Sequence, residues 1–122
     1  MLITIPGRPI PAMRMTQRGK WSKEAIRYLS YKDLIGFIAK PHFIIATKET
    51  VKVAVTVYLH GKKTNMGNDG DADNYLKSAL DGLNKIAFFD DRQVMTAIVT
   101  KCPCKKEEEQ RMEIWVDIIK PQ

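Results

Sequence analysis

Cysteine is scarce: Cys102 and Cys104 are the only two in 122 residues, and a single proline separates them. A pair so close cannot staple a small secreted framework, so a reducing, intracellular setting is expected. Histidine is as rare. His42 and His60 stand alone, and neither they nor the cysteines have the spacing of a zinc site, so all four read as structural residues. No apolar run approaches the roughly 20 residues of a spanning helix, which leaves no transmembrane segment and no membrane partner. Residues 1–6 alternate and then turn at Pro6, without the basic and apolar regions of a secretory leader, so a cytoplasmic location is expected. Internal repeats and low-complexity tracts are missing as well. Acid is in short supply, with 14 Asp and Glu against 20 Lys and Arg, a formal charge of +6.

What is present is an ordinary globular balance, 44% hydrophobic and 28% charged. That suffices for one core, and the length suits one domain over residues 1–122. The positive excess favours a polyanionic partner, nucleic acid first, although net charge also serves solubility alone. Residues 2–5 read as a short strand. Residues 8–20, with two prolines, a glycine and four cations, read as a basic loop. Ser22 is placed to cap a helix in which Ala25, Ile26, Leu29, Leu34, Ile35 and Ile38 recur at helical spacing up to Ala39. Residues 51–59 alternate and are rich in valine, the clearest strand. A long polar segment, 61–70, is a candidate functional loop.

Asp73 is expected to cap a second helix whose apolar stripe runs Leu76, Ala79, Leu80, Leu83, Ile86 and Ala87. Residues 94–101 and 112–119 read as strands joined by a charged turn, and an antiparallel hairpin is expected of them. The order β-α-β-α-β-β gives an α/β or α+β domain with one mixed sheet and two helices.

The segment that carries chemistry is Gly70-Asp71-Ala72-Asp73-Asn74-Tyr75-Leu76-Lys77, continued by Asp81 and by Phe89-Asp90-Asp91-Arg92-Gln93. In an extended chain the carboxylates of Asp71 and Asp73 point to one side, ~6–7 Å apart. They repel unless a cation sits between them, and carboxylate oxygens are the hard ligands that Mg²⁺ or Mn²⁺ prefers. Lys77, one turn after Asp73, can offset that charge or hold a phosphate. Each piece also has a bland reading: Asp73 as a helix cap, Lys77 and Asp81 as a solvated ion pair, Asp90 and Asp91 as a loop. An acidic cluster inside a basic chain is what a metal-dependent enzyme acting on nucleic-acid phosphates requires.

Residues 70–84 followed by Phe89-Asp90-Asp91-Arg92-Gln93-Val94 closely resemble the signature of RusA-type Holliday junction resolvases, D-x-D-N-x-x-K, then Asp-Gly/Ala-Leu, then D-D-x-Q-[VI]. The opening Ile5-Pro6-Gly7-Arg8-Pro9-Ile10-Pro11 is similar to that family's first strand and loop. The resemblance implies a RusA-like fold and a homodimer that binds four-way DNA junctions. It also implies cutting of two strands symmetrically with Mg²⁺ or Mn²⁺, in recombination and repair. It makes Asp71, Asp73 and Asp91 the metal-binding carboxylates, Asp90 an acidic neighbour in that site, and Lys77 the essential lysine. The opening loop departs from the pattern, running Ala12-Met13-Arg14-Met15 where relatives are richer in Lys and Arg.

A helix over residues 73–86 is ~20 Å long. The five residues from its end to Asp91 return at most ~17–18 Å. Asp91 is therefore expected to complete the metal site of a partner subunit. Arg8, Arg14, Arg18 and Lys20, beside Trp21, are candidate DNA contacts, and Lys62, Lys63 and Asn65 are placed to meet DNA near the cut. Trp21 has a plainer role as cover for the first helix. Phe88 and Phe89 read as core or dimer contacts, and residues 105–109 as a solvated turn. Two other functions stay open, a non-catalytic nucleic-acid-binding module and a metal-dependent hydrolase of small phosphate compounds. Unneeded carboxylates oppose the first, and the basic loop disfavours the second.

Overall fold

The strand Val51–Leu59 (β2) alternates so regularly that Val51, Val53, Val55, Val57 and Leu59 all lie on one face, each no more than 1% exposed. The computed structural model, which describes residues 1–13, 22–61 and 70–119, places this strand inside a four-stranded sheet. Leu2–Pro6 (β1) forms one edge and Val94–Pro103 (β3) the other. Arg111–Ile118 (β4) lies between β1 and β2, so the order is β1-β4-β2-β3. β4 runs antiparallel to both neighbours, whereas β3 runs parallel to β2. The sheet is mixed, with two helices, as the element order implies.

The expected hairpin does not form. β3 and β4 flank β2 instead of each other. Two strand spacings of ~4.8 Å separate them, and the intervening chain carries the crossing. Cys104 N–H bonds the Leu59 carbonyl at 2.9 Å, and a 3₁₀ turn at Glu107–Glu109 finishes the passage over the end of β2. A strand parallel to β2 needs a long crossover, and the helix between β2 and β3 supplies it.

Lys23–Ala39 (α1) begins where expected, with Ser22 Oγ accepting from Ala25 N at 3.1 Å. Its buried face differs from the aliphatic stripe. Tyr28 and Tyr31 join Ala25, Ile35, Gly36 and Ala39 inside, while Ile26 is half exposed and Leu29 and Leu34 are about one-third exposed. Tyrosine carries enough apolar surface to define a core face, and counting aliphatic residues misses it.

Ala72–Leu83 (α2) packs against α1 through Gly82, where an added Cβ would sit 2.6 Å from the Ile35 side chain. Its buried residues are Tyr75, Ser78, Ala79, Gly82 and Leu83, with Leu76 and Leu80 only partly covered. The helix ends at Leu83 and not near Ile86, because Lys85 adopts φ 67° and reverses the chain. One core cluster joins the inner sheet face to Tyr31, Ile35 and Ala39 of α1 and Tyr75, Ala79 and Leu83 of α2. Both helices therefore cover the same side of the sheet. Among the described residues no helix is long and apolar enough to cross a membrane.

Candidate active site

Gly70 has φ 130°, and a Cβ there would lie 3.1 Å from the Pro11 ring. Only glycine adopts that backbone without strain. The turn sends the chain into α2 with Asp71, not Asp73, at the cap position. The Asp71 side chain makes no capping hydrogen bond, while its carbonyl accepts from Asn74 N at 3.0 Å. Asp73 follows in the first helical turn, and both residues are exposed. The two carboxylates thus stand at a helix N-terminus, where the backbone dipole favours negative charge. Lys77, one turn on, is exposed as well.

Three contacts hold this end in place. Ala12 N–H bonds the Asn74 carbonyl at 2.9 Å, seating the opening loop on the first turn of α2. Lys101 near the end of β3 donates from Nζ to the Gly70 carbonyl at 2.8 Å. Arg8 donates to the His60 carbonyl at 2.9 Å and also to Gln110 Oε1. His60 immediately follows β2, so the opening loop, the acidic pair and the C-terminal ends of β2 and β3 share one end of the sheet. Arg14, Arg18, Lys20, Trp21, Lys62, Lys63 and Asn65 lie outside the described residues.

Asp90 and Asp91 sit at the opposite end of the strands. The 3₁₀ turn Asp91–Gln93 leads into β3 at Val94, which pairs with Val51 at the start of β2. From Val94 to Lys101 the strand advances ~23 Å. The early end of α2 weakens the reach argument made from helix length, but the parallel pairing separates the two acidic groups independently. Among the described residues, no three His, Cys, Asp or Glu side chains converge where a metal ion could sit. One chain offers Asp71 and Asp73 together; it does not bring its own Asp91 to them.

The second acidic pair is not equivalent within itself. Asp90 caps the turn, accepting from Arg92 N at 2.9 Å and from Arg92 Nε at 3.2 Å. The Arg92 backbone hydrogen bond, with help from its guanidinium, holds the Asp90 carboxyl below the usual range. Asp91 is exposed. Gln93 fixes the turn: its Oε1 accepts from Phe89 N at 2.9 Å and Asp90 N at 3.0 Å. Its Nε2 donates to the Thr47 and Glu49 carbonyls, each at 2.8 Å. A Gln three residues after an Asp is the sequence trace of a capping box, and it marks this anchor.

Other expected participants have different work. The Tyr28 hydroxyl donates to Asp81, which ties α1 to α2. Burial first, and then that carboxylate, push the Tyr28 phenol up. Phe88 is fully buried in the core, whereas Phe89 is 43% exposed. The His60 ring and the Cys104 carbonyl lie 3.1 Å apart in a hydrogen bond, and both cysteines are free thiols. Lys101 is the residue that sequence reasoning missed, because its proximity to Gly70 depends on the parallel pairing of β3.

A family model described as Endodeoxyribonuclease RusA matches residues 6–117. No curated protein is similar enough to the chain to add to that match.

Proposed function

The chain belongs to the RusA endodeoxyribonuclease family, and from that premise we propose that it resolves four-way DNA junctions by paired, symmetric phosphodiester hydrolysis. Its setting is recombination and repair in the cytoplasm, and its working form is a homodimer of single-domain chains spanning residues 1–122. The observation that carries this reading is the exposed Asp71 and Asp73 pair at the head of α2.

The donor set fits a hard divalent cation, Mg²⁺ or Mn²⁺, since it consists of carboxylate oxygens. One chain provides too few of them. Asp91 of the partner subunit completes the set, and Asp90 shapes the turn that presents it. When bound, such a cation polarises the scissile phosphate and lowers the pKa of the attacking water. Asp71 and Asp73 orient and hold the cation. Lys77 offsets charge that develops on the phosphate oxygens.

DNA is held by Arg8, Arg14, Arg18, Lys20, Lys62 and Lys63. The segment after Met13 departs one residue beyond Ala12, which bonds Asn74, and the segment that carries Lys62 and Lys63 ends at Gly70. Both basic stretches therefore start or finish beside the acidic pair, which supports a basic surround for an acidic centre.

The test incubates the full chain with a labelled synthetic four-way junction and with linear duplex, with and without Mg²⁺ or Mn²⁺. Paired nicks confined to the junction and dependent on metal are expected. Binding without cleavage in either metal would sink the reading. Mixing inactive Asp71→Asn and Asp91→Asn chains should regain one active site per heterodimer; no recovery rejects a shared site.

A further inference from the structure

The chain between α1 and β2 runs Phe43-Ile44-Ile45-Ala46, yet only Ala46 of these four is buried. Ile44 is fully exposed and Ile45 is 75% exposed. Both ends of the segment are fixed. Phe43 N–H bonds the Lys40 carbonyl at 3.1 Å, and Thr47 N–H bonds the Ala87 carbonyl at 2.9 Å. Gln93 holds the Thr47 carbonyl from the other side. Adjacent isoleucines gain free energy from leaving water. Here the backbone pins both of them outward, which marks a contact surface.

A cavity of about 300 Å³ opens beside this ridge, walled by Phe43, Ile45, Ile86 and Phe89 and rimmed by Lys40 and Lys85. It stands at the small end of ligand pockets and admits one large apolar side chain. Among the described residues no acid lines it. Lys85 is also the one non-glycine residue at positive φ among them, a backbone that is costly for any residue with a Cβ. Phe37, 78% exposed, extends the apolar surface into the next cleft, which shares Lys40 and Ile86. The acids of that cleft are Asp33 and Asp81, and Asp81 already accepts from Tyr28. Beyond Phe89, the Asp90 carboxylate is held by Arg92.

We infer that this ridge and cavity dock an acidic segment of another protein, with a large apolar side chain seated in the cavity and carboxylates on Lys40 and Lys85. Charge selects this occupant. An isologous contact with a second copy sets the same patch against itself, and so lysine against lysine. A nucleic-acid backbone gains from the two cations but nothing from the isoleucines between them. An apolar anchor flanked by acids answers both features at once, burying the isoleucines and pairing the lysines. Docking here needs neither metal nor DNA.

In the test, the full chain is titrated into a fluorescein-labelled peptide, Asp-Glu-Leu-Asp-Asp-Phe-Glu-Asp, and fluorescence anisotropy is followed. Saturable binding with a Kd below ~1 mM is expected, and it should weaken as salt is added. Ile44→Asp and Lys85→Glu should each weaken it by ~10-fold or more, with the far-ultraviolet circular dichroism and the junction affinity of the parent. A peptide with lysine at every acidic position should bind the Lys40→Glu, Lys85→Glu double variant and not the parent. The proposal is overturned if the acidic peptide does not saturate, or if the lysine peptide binds the parent equally well. Displacement of the peptide by a four-way junction would instead give the surface to DNA. Loss of self-association in Ile44→Asp, read by sedimentation velocity, would give it to a second copy. Either result rejects the acidic partner.

Discussion

The Lys101 ammonium donates a 2.8 Å hydrogen bond to the Gly70 carbonyl, fastening the end of β3 to the residue just ahead of the acidic pair. Position at a reacting centre matters steeply, since displacements near 1 Å cost on the order of 100-fold in rate. Lys101→Met should therefore lower single-turnover junction cleavage by ~10–100-fold. Junction affinity in a gel-shift titration should change little, and Lys101→Arg should recover part of the rate. A loss of affinity equal to the loss of rate would assign Lys101 to DNA binding instead.

Asp71→Asn and Asp73→Asn should each abolish cutting in the junction assay, by 1,000-fold or more on the scale of lost metal assistance. Removing a negative charge near phosphates should leave binding unchanged or tighter. Parallel gel-shift and cleavage measurements on the same preparations check both halves.

Asp90 and Asp91 should separate in behaviour. Asp91→Asn should match Asp71→Asn in the cleavage assay, whereas Asp90→Asn, which keeps an oxygen for the Arg92 N–H, should retain activity within ~10-fold. The Asp90 carboxyl lies below its ordinary 3.8. A depressed folded value gives a contribution present above the unfolded value and lost as pH falls through the folded one. The turn should thus hold at neutral pH and loosen only below pH 4, read from the Arg92 amide resonance.

Packing between the helices should respond with opposite signs at two neighbouring positions. Gly82→Ala drives a methyl into Ile35, 2.6 Å away, and should cost about 1–3 kcal/mol in urea unfolding. Ser78 Oγ is buried and has no hydrogen-bond partner among the described residues. Ser78→Ala should therefore stabilise by roughly 0.5–1 kcal/mol.

Much of the architecture was legible in single segments. The alternating valines of β2, the Ser22 cap and the element order all survive in the fold, because each depends on neighbours in sequence. Strand pairing does not. Periodicity marks 94–101 and 112–119 as strands but carries no sign of which strand each will join, so a short charged connector suggested a hairpin where β2 intervenes. The cap residue of α2 was misassigned by two positions, since Asp71 and Asp73 are both good caps by type and only the turn at Gly70 distinguishes them. The candidate site stands in the sequence as a motif, Asp71, Asp73, Lys77, Asp90 and Asp91. The division between Asp90 and Asp91 was not legible, because Arg92 occupies Asp90 while Gln93 fixes the turn through the distant carbonyls of Thr47 and Glu49.

The parallel run of β3 beside β2 has a consequence for dosage. On the proposed shared site, a chain whose own fold holds its acidic groups at opposite ends of one strand would not arm itself, however well it folds. Cutting would then scale with the square of chain concentration when copies are few, so a newly made chain would stay inert until it met a second, and scarcity alone would restrain the proposed nuclease.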